Sequence, residues 1–229
     1  MLGFRKCPIA SILISVVLRE ISSAVEHLVY TEIVTSSILV SPMKHPIQFE
    51  NVLPVDVFYD VNDELKDWRF NNSSNSGDDS KTFFGQRFRF DCLTYYKAAT
   101  ITTLKIKKHL REDLRLVRIH SGGKVFGSRP NFHKDYKEKY QCYTFILFTR
   151  TNWNTNWGGE FVVQDPTGKY HHTSYIPNSG VLIPSHWEHT GNPPLTPEAG
   201  IRTSVAFMYT HESNYNYVID NHPEDKLFS

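Results

Sequence analysis

Residues 143–148 read YTFILF, a short apolar run of the residue types that β-strands favour. Similar runs follow at short intervals: GEFVVQD at 159–165, SGVLIP at 179–184 and RTSVAFMYT at 202–210. Clusters rich in Gly, Pro and Asn separate them, namely NWNTNWGG, DPTGK, IPNSG and GNPPLTPEAG. Several short strands at this spacing predict an antiparallel β-sandwich or barrel.

Outward from these runs, towards the N-terminus, the spacing of apolar residues becomes helical. DVFYDVNDELKDWRF at 56–70 suits a short helix, and TYYKAATITTLKIKKHL at 94–110 suits a second one. Between them, NNSSNSGDDS at 71–80 contains no apolar residue and predicts a polar loop. The chain is therefore predicted to be mainly β with flanking helices.

The strand pattern begins at LRLVRIH, where apolar and polar residues alternate. Since alternate residues of a strand share a face, Leu114, Leu116, Arg118 and His120 are expected on the same side of the sheet. The β core is predicted at about residues 114–210.

The composition fits one soluble globular domain. The chain has 229 residues, 40% of them hydrophobic and 21% charged, which is enough for one sizeable core. Aromatic residues reach 14%, which again favours strands. A net charge of +1 gives no excess positive field for binding nucleic acid or an anionic membrane. The most basic stretch, at 104–119, is interpreted as a solvated helix face, with a nucleic-acid patch as the alternative.

The first 45 residues differ from the rest and are interpreted as an N-terminal extension. Their apolar run, CPIASILISVVL, is too short to span a bilayer, which takes about 20 apolar residues. SSA at 22–24 is similar to a signal-peptide cleavage site, whereas the nearby charges of Arg19 and Glu20 argue against export. The extension is therefore a targeting segment or an extra helix, and residues 46–229 are the predicted functional domain.

The cysteines indicate the compartment. Cys7, Cys92 and Cys142 are an odd, widely spaced set without a CxxC pair, so they predict neither a disulfide framework nor a zinc site. A reducing, cytoplasmic location fits this set. Overlapping sequons at Asn71 and Asn72 would matter only if the chain were exported.

A pair of metal-ligand residues stands in NFHKDY, residues 131–136. In an extended segment His133 and Asp135 would point to the same face, with an imidazole nitrogen and a carboxylate oxygen side by side. Such a pair suits a divalent transition metal but is a weak signal alone. Downstream, PSHWEHTGNPP adds His186 and His189 in the turn that follows the run GVLIP.

A second polar pair lies on the last strand-like run. Arg202 stands thirteen residues after His189 and begins an alternation, so Arg202 and Ser204 are expected to share a face. The guanidinium group offers a planar fork of N–H donors, which is the best available grip on a carboxylate. Two histidines and one carboxylate leave one face of an octahedral iron open, and the arginine would anchor a carboxylated co-substrate beside it.

Together these motifs resemble the iron(II)/2-oxoglutarate-dependent dioxygenases, and within them the prolyl-4-hydroxylase-like branch. NWGGEF at 156–161 resembles the GGE hairpin of that family, and HTGNPP at 189–194 resembles its H-x-G-x-P around the distal histidine. RIHSGG at 118–123 resembles the strand and turn that precede the first histidine. The resemblance covers about residues 114–210.

The resemblance implies a double-stranded β-helix, a jelly-roll or cupin-like fold whose open end holds the metal. His133, Asp135 and His189 would bind Fe(II), and His189 is preferred to His186 because TGNPP follows it. O2 would be the oxidant, with ascorbate as a candidate addition to the reaction.

The resemblance also implies 2-oxoglutarate as the co-substrate. Arg202 would hold its distal carboxylate, with Ser204 and His120 as further contacts. His120 stands where many relatives have a tyrosine, and Arg118 stands where some have an asparagine. The contacts at the far end of the co-substrate pocket therefore depart from the family's pattern.

The implied activity is hydroxylation of an unactivated C–H bond with release of succinate and CO2. A peptidyl proline, a free amino acid and a small metabolite all stay open as substrates, and the sequence does not give the oligomeric state. Asp135 is retained where halogenating relatives have a small residue, so hydroxylation is expected.

Nucleobase demethylation is an alternative within the class, but the second arginine of those enzymes is replaced by Met208. A non-catalytic jelly-roll binding module is the alternative outside the class.

The remaining histidines and the paired glycines are expected to be structural. His171, His172 and His211 have no partner at a useful spacing and are interpreted as structural or exposed. Gly158 and Gly159 are expected to adopt positive φ in a hairpin.

Overall fold

The computed structural model describes residues 43–65, 84–88, 92–129 and 131–225. Most of the predicted N-terminal extension, the polar loop and both sequons lie outside these residues. Within them, no helix combines the length and apolar character that crossing a membrane requires.

In the described part of the chain, nine strands form two antiparallel sheets. The larger sheet has six strands in the order β1-β7-β4-β9-β3-β2, and the smaller has three in the order β6-β5-β8. The strands are β1 (Ile47–Phe49), β2 (Phe84–Phe88), β3 (Leu114–Lys124), β4 (Cys142–Phe148), β5 (Phe161–Gln164), β6 (Tyr170–Thr173), β7 (Gly180–Pro184), β8 (Glu188–Gly191) and β9 (Arg202–His211). The four short apolar runs of the sequence are thus strands β4, β5, β7 and β9.

Three helices accompany the sheets: α1 (Val55–Glu64), α2 (Leu93–Leu110) and α3 (Tyr215–Asn221). Helix α2 matches its predicted range closely, whereas α1 ends at Glu64, earlier than its pattern suggested. The basic residues Lys105 and Lys108 of α2 are exposed, as expected of a solvated helix face. The rest of the basic stretch, from Leu114, is strand β3, so the helix interpretation is wrong there. The prediction of a mainly β fold with flanking helices is confirmed.

Helices α1 and α2 cover one face of the larger sheet. Val61 and Ile106 of these helices belong to one buried cluster with Phe145 and Phe207 of the central strands. Each large apolar side chain buried in this way contributes about 1.5–3 kcal/mol. The helical layer therefore stabilises the larger sheet from outside and leaves its other face for the smaller sheet.

A second buried cluster lies between the two sheets. Phe148 and Val181 of the larger sheet pack there with Phe161 and Val163 of the smaller one. His189 of β8 shares a face with its pairing partner Val163, and Arg202 of β9 shares a face with Ala206, so both lie on these inner faces. The space between the sheets is therefore where a site can form.

Strand β3 contains a bulge that changes which of its side chains face this second cluster. Its pairing with β9 shifts register between Leu116 and Arg118, so Val117 is an extra residue. Leu116 packs on the helix-covered face, whereas Nε of Arg118 lies 3.3 Å from Sδ of Met208 in the cluster between the sheets. The expectation of one shared face along residues 114–120 is therefore wrong, because the bulge moves the later residues to the inner face.

Candidate functional site

His133 and His189 face each other across a short backbone pairing. The N–H of His133 donates to the carbonyl oxygen of His189 at 3.1 Å, and the reverse hydrogen bond measures 3.0 Å. The centroids of the two imidazole rings are 4.5 Å apart. His186 is not part of this group. The charges that act on it are those of Glu138, which raises its pKa, and Lys134, which lowers it, while burial lowers its pKa further. The structure thus brings together the two histidines that were predicted as metal ligands.

Both imidazoles are oriented by a backbone carbonyl two residues earlier in the chain. Nδ1 of His133 lies 3.0 Å from the carbonyl oxygen of Asn131, and Nδ1 of His189 lies 2.9 Å from that of Trp187. A carbonyl oxygen can only accept, so each Nδ1 carries a proton and each Nε2 is the nitrogen that a metal would bind, in place of any proton it carries. Metal-binding histidines are commonly held in this way.

Asp135 brings its carboxylate against both imidazoles. Oδ1 lies 3.7 Å from Nε2 of His133, and Oδ2 lies 3.4 Å from Nε2 of His189. Thr144 donates its hydroxyl to Oδ2 at 2.7 Å, and Nη2 of Arg118 lies 3.6 Å from Oδ1. Burial alone would raise the pKa of this carboxyl, but the charge and hydrogen bond of His189 and the charges of Arg118 and His133 hold it well below its usual range. Asp135 is therefore an anion at neutral pH.

These three side chains fit the ligand set of a divalent transition metal. One ligand atom from each of His133, Asp135 and His189 lies within 4.8 Å of the other two. Two imidazoles and one carboxylate on one side of an ion leave its other positions open, as in non-haem Fe(II) oxygenases. Iron binding itself stays a prediction.

Arg202 lies buried near this cluster with one hydrogen-bonding position unused. Its Nε donates to the carbonyl oxygen of Gly159 at 2.7 Å, and its Nη1 donates to the hydroxyl of Ser204 at 3.3 Å. The residue is only 3% exposed, and Nη2 finds no hydrogen-bond partner among the described residues. A buried polar group left without a partner costs about 1–3 kcal/mol, and a charged one costs more. Nη2 is therefore a ready position for the oxygen of an anion.

Two glycines make room for this guanidinium group. A side chain at Gly191 would place its Cβ 2.9 Å from Nη1 of Arg202, and one at Gly159 would lie 2.8 Å from the ring of Trp153. Gly158 and Gly159 have φ angles of 71° and 77°, which confirms the predicted positive φ. The predicted hairpin is wrong, because these glycines follow a 3-10 turn (Thr155–Trp157) and the strands on either side, β4 and β5, belong to different sheets. The glycine of the HTGNPP motif is thus required by the close approach of the arginine.

Lys124 is a second cation at this place, and nothing in its local sequence marks it. It stands directly opposite Arg202 in the pairing of β3 with β9, and its Nζ donates to the hydroxyl of Thr190 at 3.3 Å. Burial and the charge of Arg202 lower the pKa of Lys124 to about 8. Because two buried cations repel each other, this cation pair (Lys124 and Arg202) favours an anion beside it. Only the strand register reveals the pair.

The inner face of β3 connects the metal cluster to the cation pair. Arg118, His120, Gly122 and Lys124 follow one another there, and Gly122 stands opposite Ser204 of β9. His120 is four residues from Lys124, which is about 13 Å along a strand, so it does not lie beside the cation pair. Its predicted contact with the co-substrate stays a prediction.

Arg118 also connects the metal cluster to the C-terminal segment. Its Nη1 lies 3.6 Å from Oδ1 of Asp225, and Tyr136 donates its hydroxyl to Oδ2 of the same carboxylate. Arg118 is thus held between Asp225 and Asp135. No motif in the sequence pointed to Asp225, because its role depends on a contact across the fold.

Solved structures of several oxygenases have the same fold. A Pseudomonas putida prolyl-4-hydroxylase matches with a TM-score of 0.55 at 16% identity, over 73% of this chain and 92% of that chain. A Trichoplax adhaerens prolyl hydroxylase, in complex with a peptide fragment of hypoxia inducible factor, matches with a TM-score of 0.59 at 13% identity, over 76% and 87%. HygX from Streptomyces hygroscopicus, with nickel and 2-oxoglutarate bound, matches with a TM-score of 0.56 at 10% identity, over 73% and 83%.

The chain has the fold of the 2-oxoglutarate–Fe(II) oxygenases. The predicted double-stranded β-helix is therefore confirmed, and the resemblance read from the sequence is confirmed at the level of this oxygenase fold. No protein-family model matches the chain, and no curated protein is similar to it at a significant level.

Proposed function

We propose that the chain is an Fe(II)- and 2-oxoglutarate-dependent dioxygenase that hydroxylates a C–H bond. One observation carries this proposal: the His133–Asp135–His189 cluster occurs together with a buried Arg202 whose Nη2 has no partner among the described residues. The first feature fits a divalent metal and the second fits a carboxylate, and the oxygenase fold supports their use together.

The metal would be held by Nε2 of His133, Nε2 of His189 and the carboxylate of Asp135. Thr144 and Arg118 fix that carboxylate, and the interactions with His189 and Arg118 keep its pKa low, so it is ionised and ready to bind a cation. When bound, Fe(II), 2-oxoglutarate and O2 supply the oxidising chemistry and yield succinate and CO2. The protein contributes the position of each group and the exclusion of water around it.

The cation pair would bind the distal carboxylate of 2-oxoglutarate. Nη2 of Arg202 offers a charge-assisted hydrogen bond, and Lys124 adds a second positive charge. The hydroxyl of Ser204 accepts from Nη1 of Arg202, which leaves its own proton free to donate to the same carboxylate. Gly122, opposite Ser204, leaves space for the carbon chain between the cation pair and the metal.

Aromatic rings keep this end of the pocket dry. The guanidinium carbon of Arg202 lies 5.1 Å from the ring centroid of Tyr175 and 5.6 Å from that of Phe148. Charged interactions are stronger where water is excluded, so these rings would strengthen the hold of Arg202 on a carboxylate.

A peptidyl proline, an amino acid and a small metabolite are all retained as candidate substrates. The Trichoplax adhaerens neighbour carries a peptide fragment, and a HygX structure carries hygromycin B. The shared fold therefore accommodates both peptide and small-molecule ligands.

Two alternatives are less well supported. A nucleobase demethylase would use a second arginine where this chain has Met208, and Met208 lies in the core against Arg118. The net charge of +1 also provides no basic surface for nucleic acid. A non-catalytic binding module would not need both a complete metal-ligand set and a buried, unpartnered guanidinium nitrogen.

The test combines binding and turnover. The full chain should bind 2-oxoglutarate under anaerobic conditions in the presence of Ni(II), and should form succinate with Fe(II), O2 and an accepted member of a substrate panel. Asp135→Ala should lose both properties, whereas Asp113→Ala, at an exposed aspartate paired with Lys107, should keep them. Binding of 2-oxoglutarate without succinate formation across the panel would favour the binding module. Failure to bind 2-oxoglutarate at all would remove the proposal.

A further inference from the structure

A second group of metal-ligand side chains lies outside the site described above. His45, just before β1, and His171, on β6, meet Asp165 in the turn between β5 and β6. One ligand atom from each lies within 4.8 Å of the other two. The proposed reaction assigns no role to these three residues.

The turn itself holds the carboxylate of Asp165 in place. Oδ1 accepts from the N–H and the hydroxyl of Thr167, at 2.9 and 2.6 Å, and from the N–H of Lys169 at 3.1 Å. These bonds occupy Oδ1 and prevent the carboxylate from rotating. Oδ2 is left facing Nε2 of His171 at 2.8 Å. The hydrogen bonds from His171 and Thr167 also hold the pKa of Asp165 below its usual range, so it is an anion.

His171 points to the inner side of the smaller sheet. It stands opposite Val163, which in turn stands opposite His189, so the three side chains share one face. The two histidines are therefore two strand spacings apart, which is about 10 Å. The expectation that His171 lacks a partner is wrong, since the hairpin brings Asp165 back to it. The two groups of ligands are close neighbours but do not share a residue.

His45 completes the group from another element. Its ring centroid lies 5.6 Å from that of His171, and its side chain is exposed and free to adjust. Ligands around Zn²⁺ stand about 2.0–2.2 Å from the ion, so any two of them are at most about 4.3 Å apart. The spacing of Nε2 of His171 and Oδ2 of Asp165 already satisfies this limit, and a small rotation of His45 brings in the third atom.

We propose that His45, Asp165 and His171 form a second metal site that binds Zn²⁺ or a similar divalent transition metal. A site with two imidazoles and one carboxylate favours such ions over Ca²⁺ or Mg²⁺, which bind mainly through oxygen ligands. The fourth position is left to water. A metal here joins the segment before β1 to the β5–β6 turn, so its effect is to stabilise the edge where the two sheets approach each other.

The experiment measures zinc bound per full-length chain, by equilibrium dialysis at neutral pH. The parent should bind two zinc ions, and His133→Ala, which disables the first site, should bind one. Adding His45→Ala or His171→Ala to His133→Ala should weaken the remaining zinc binding by at least about tenfold, so that little zinc is bound at a concentration that just saturates His133→Ala. His172→Ala is the matched control, because His172 is the next residue, is exposed and contacts Glu160. It should leave zinc binding unchanged.

Zinc should also raise the Tm of His133→Ala, and this shift should vanish when His45→Ala is added. His45 is exposed, so its replacement does not disturb the core. The proposal is overturned if His133→Ala binds no zinc, or if His133→Ala with His45→Ala binds zinc as tightly as His133→Ala does.

Discussion

The first cluster (His133, Asp135 and His189) and the second (His45, Asp165 and His171) contain the same donor groups in different surroundings. In the first, backbone carbonyls orient both imidazoles, and Thr144 and Arg118 hold the carboxylate. In the second, the carboxylate is held by its own turn. Each cluster contains one exposed imidazole, His133 in the first and His45 in the second.

The larger difference lies beyond the ligands. The inner face of β3 and β9 leads from the first cluster to the cation pair of Lys124 and Arg202, where a carboxylated co-substrate can be anchored. The second cluster lies at the sheet edge and joins two chain segments. The donor set therefore selects the metal, whereas nearby groups that bind a co-substrate, here Lys124 and Arg202, determine whether the metal can take part in a reaction.

The largest effect is expected from removing one ligand of the first cluster. His189→Ala should lower succinate formation by more than about 100-fold, because loss of even a ligand's supporting partner costs about 10- to 100-fold. His186→Ala should keep most of the activity, since His186 is outside both clusters. Mass spectrometry of succinate decides between them. If His186→Ala were inactive and His189→Ala active, the assignment of His189 as the third metal ligand would be wrong.

The next largest effect is expected at the co-substrate anchor. Arg202→Lys keeps the charge but loses the planar fork, so the Kd for 2-oxoglutarate should rise by about 10- to 100-fold while metal binding is unchanged. The measurement is an anaerobic titration in the presence of Ni(II). Arg115→Lys is the control, because Arg115 lies on β3, the strand that pairs with β9, but pairs with Glu212 at the surface. Equal Kd values for the parent and Arg202→Ala would remove Arg202 from the pocket.

A smaller effect should follow from the pKa of Lys124, which burial and Arg202 lower to about 8. The protonated form binds a carboxylate, and its fraction falls from about nine-tenths at pH 7 to about one-tenth at pH 9. The Kd for 2-oxoglutarate should therefore rise by up to about tenfold between these pH values. Lys124→Met should bind more weakly at pH 7 and should lose this dependence. The same slope in Lys124→Met and the parent would assign the titration to another group.

The smallest effect is expected from removing the N-terminal extension. Residues 1 to about 45 are predicted to be dispensable for the chemistry, and the shortened chain begins at Lys44 so that it keeps His45 of the second cluster. It should turn over 2-oxoglutarate like the full chain, as judged from succinate formation with Fe(II) and ascorbate. A soluble, folded chain of this length without turnover would mean that the extension helps to build the active site.

Only part of the first cluster follows from local relations. Alternation in an extended segment places His133 with Asp135, and alternation along β9 places Arg202 with Ser204. His189 was predicted through the family resemblance of HTGNPP, because it meets His133 only across a backbone bridge. Lys124 was missed because its relation to Arg202 exists only in the register of β3 against β9.

The other errors have related causes. The bulge at Val117 reversed the expected facing of the residues that follow it, and alternation alone cannot locate an extra residue. His171 was assigned no partner because Asp165 returns to it only through the hairpin. Patterns along the sequence thus identified pairs of residues within one segment. Pairs formed between strands, such as Lys124 with Arg202, could not be predicted from such patterns.

The backbone pairing of His133 with His189 has a thermodynamic consequence. Two hydrogen bonds hold these residues together, and the same residues would hold the metal, so ligand binding and strand pairing reinforce each other. A metal present at 100 times its Kd adds about 2.7 kcal/mol to the stability of the paired state. The amide hydrogens of both histidines should therefore exchange with solvent more slowly in the loaded protein. Chelation should therefore weaken this backbone pairing before the rest of the smaller sheet.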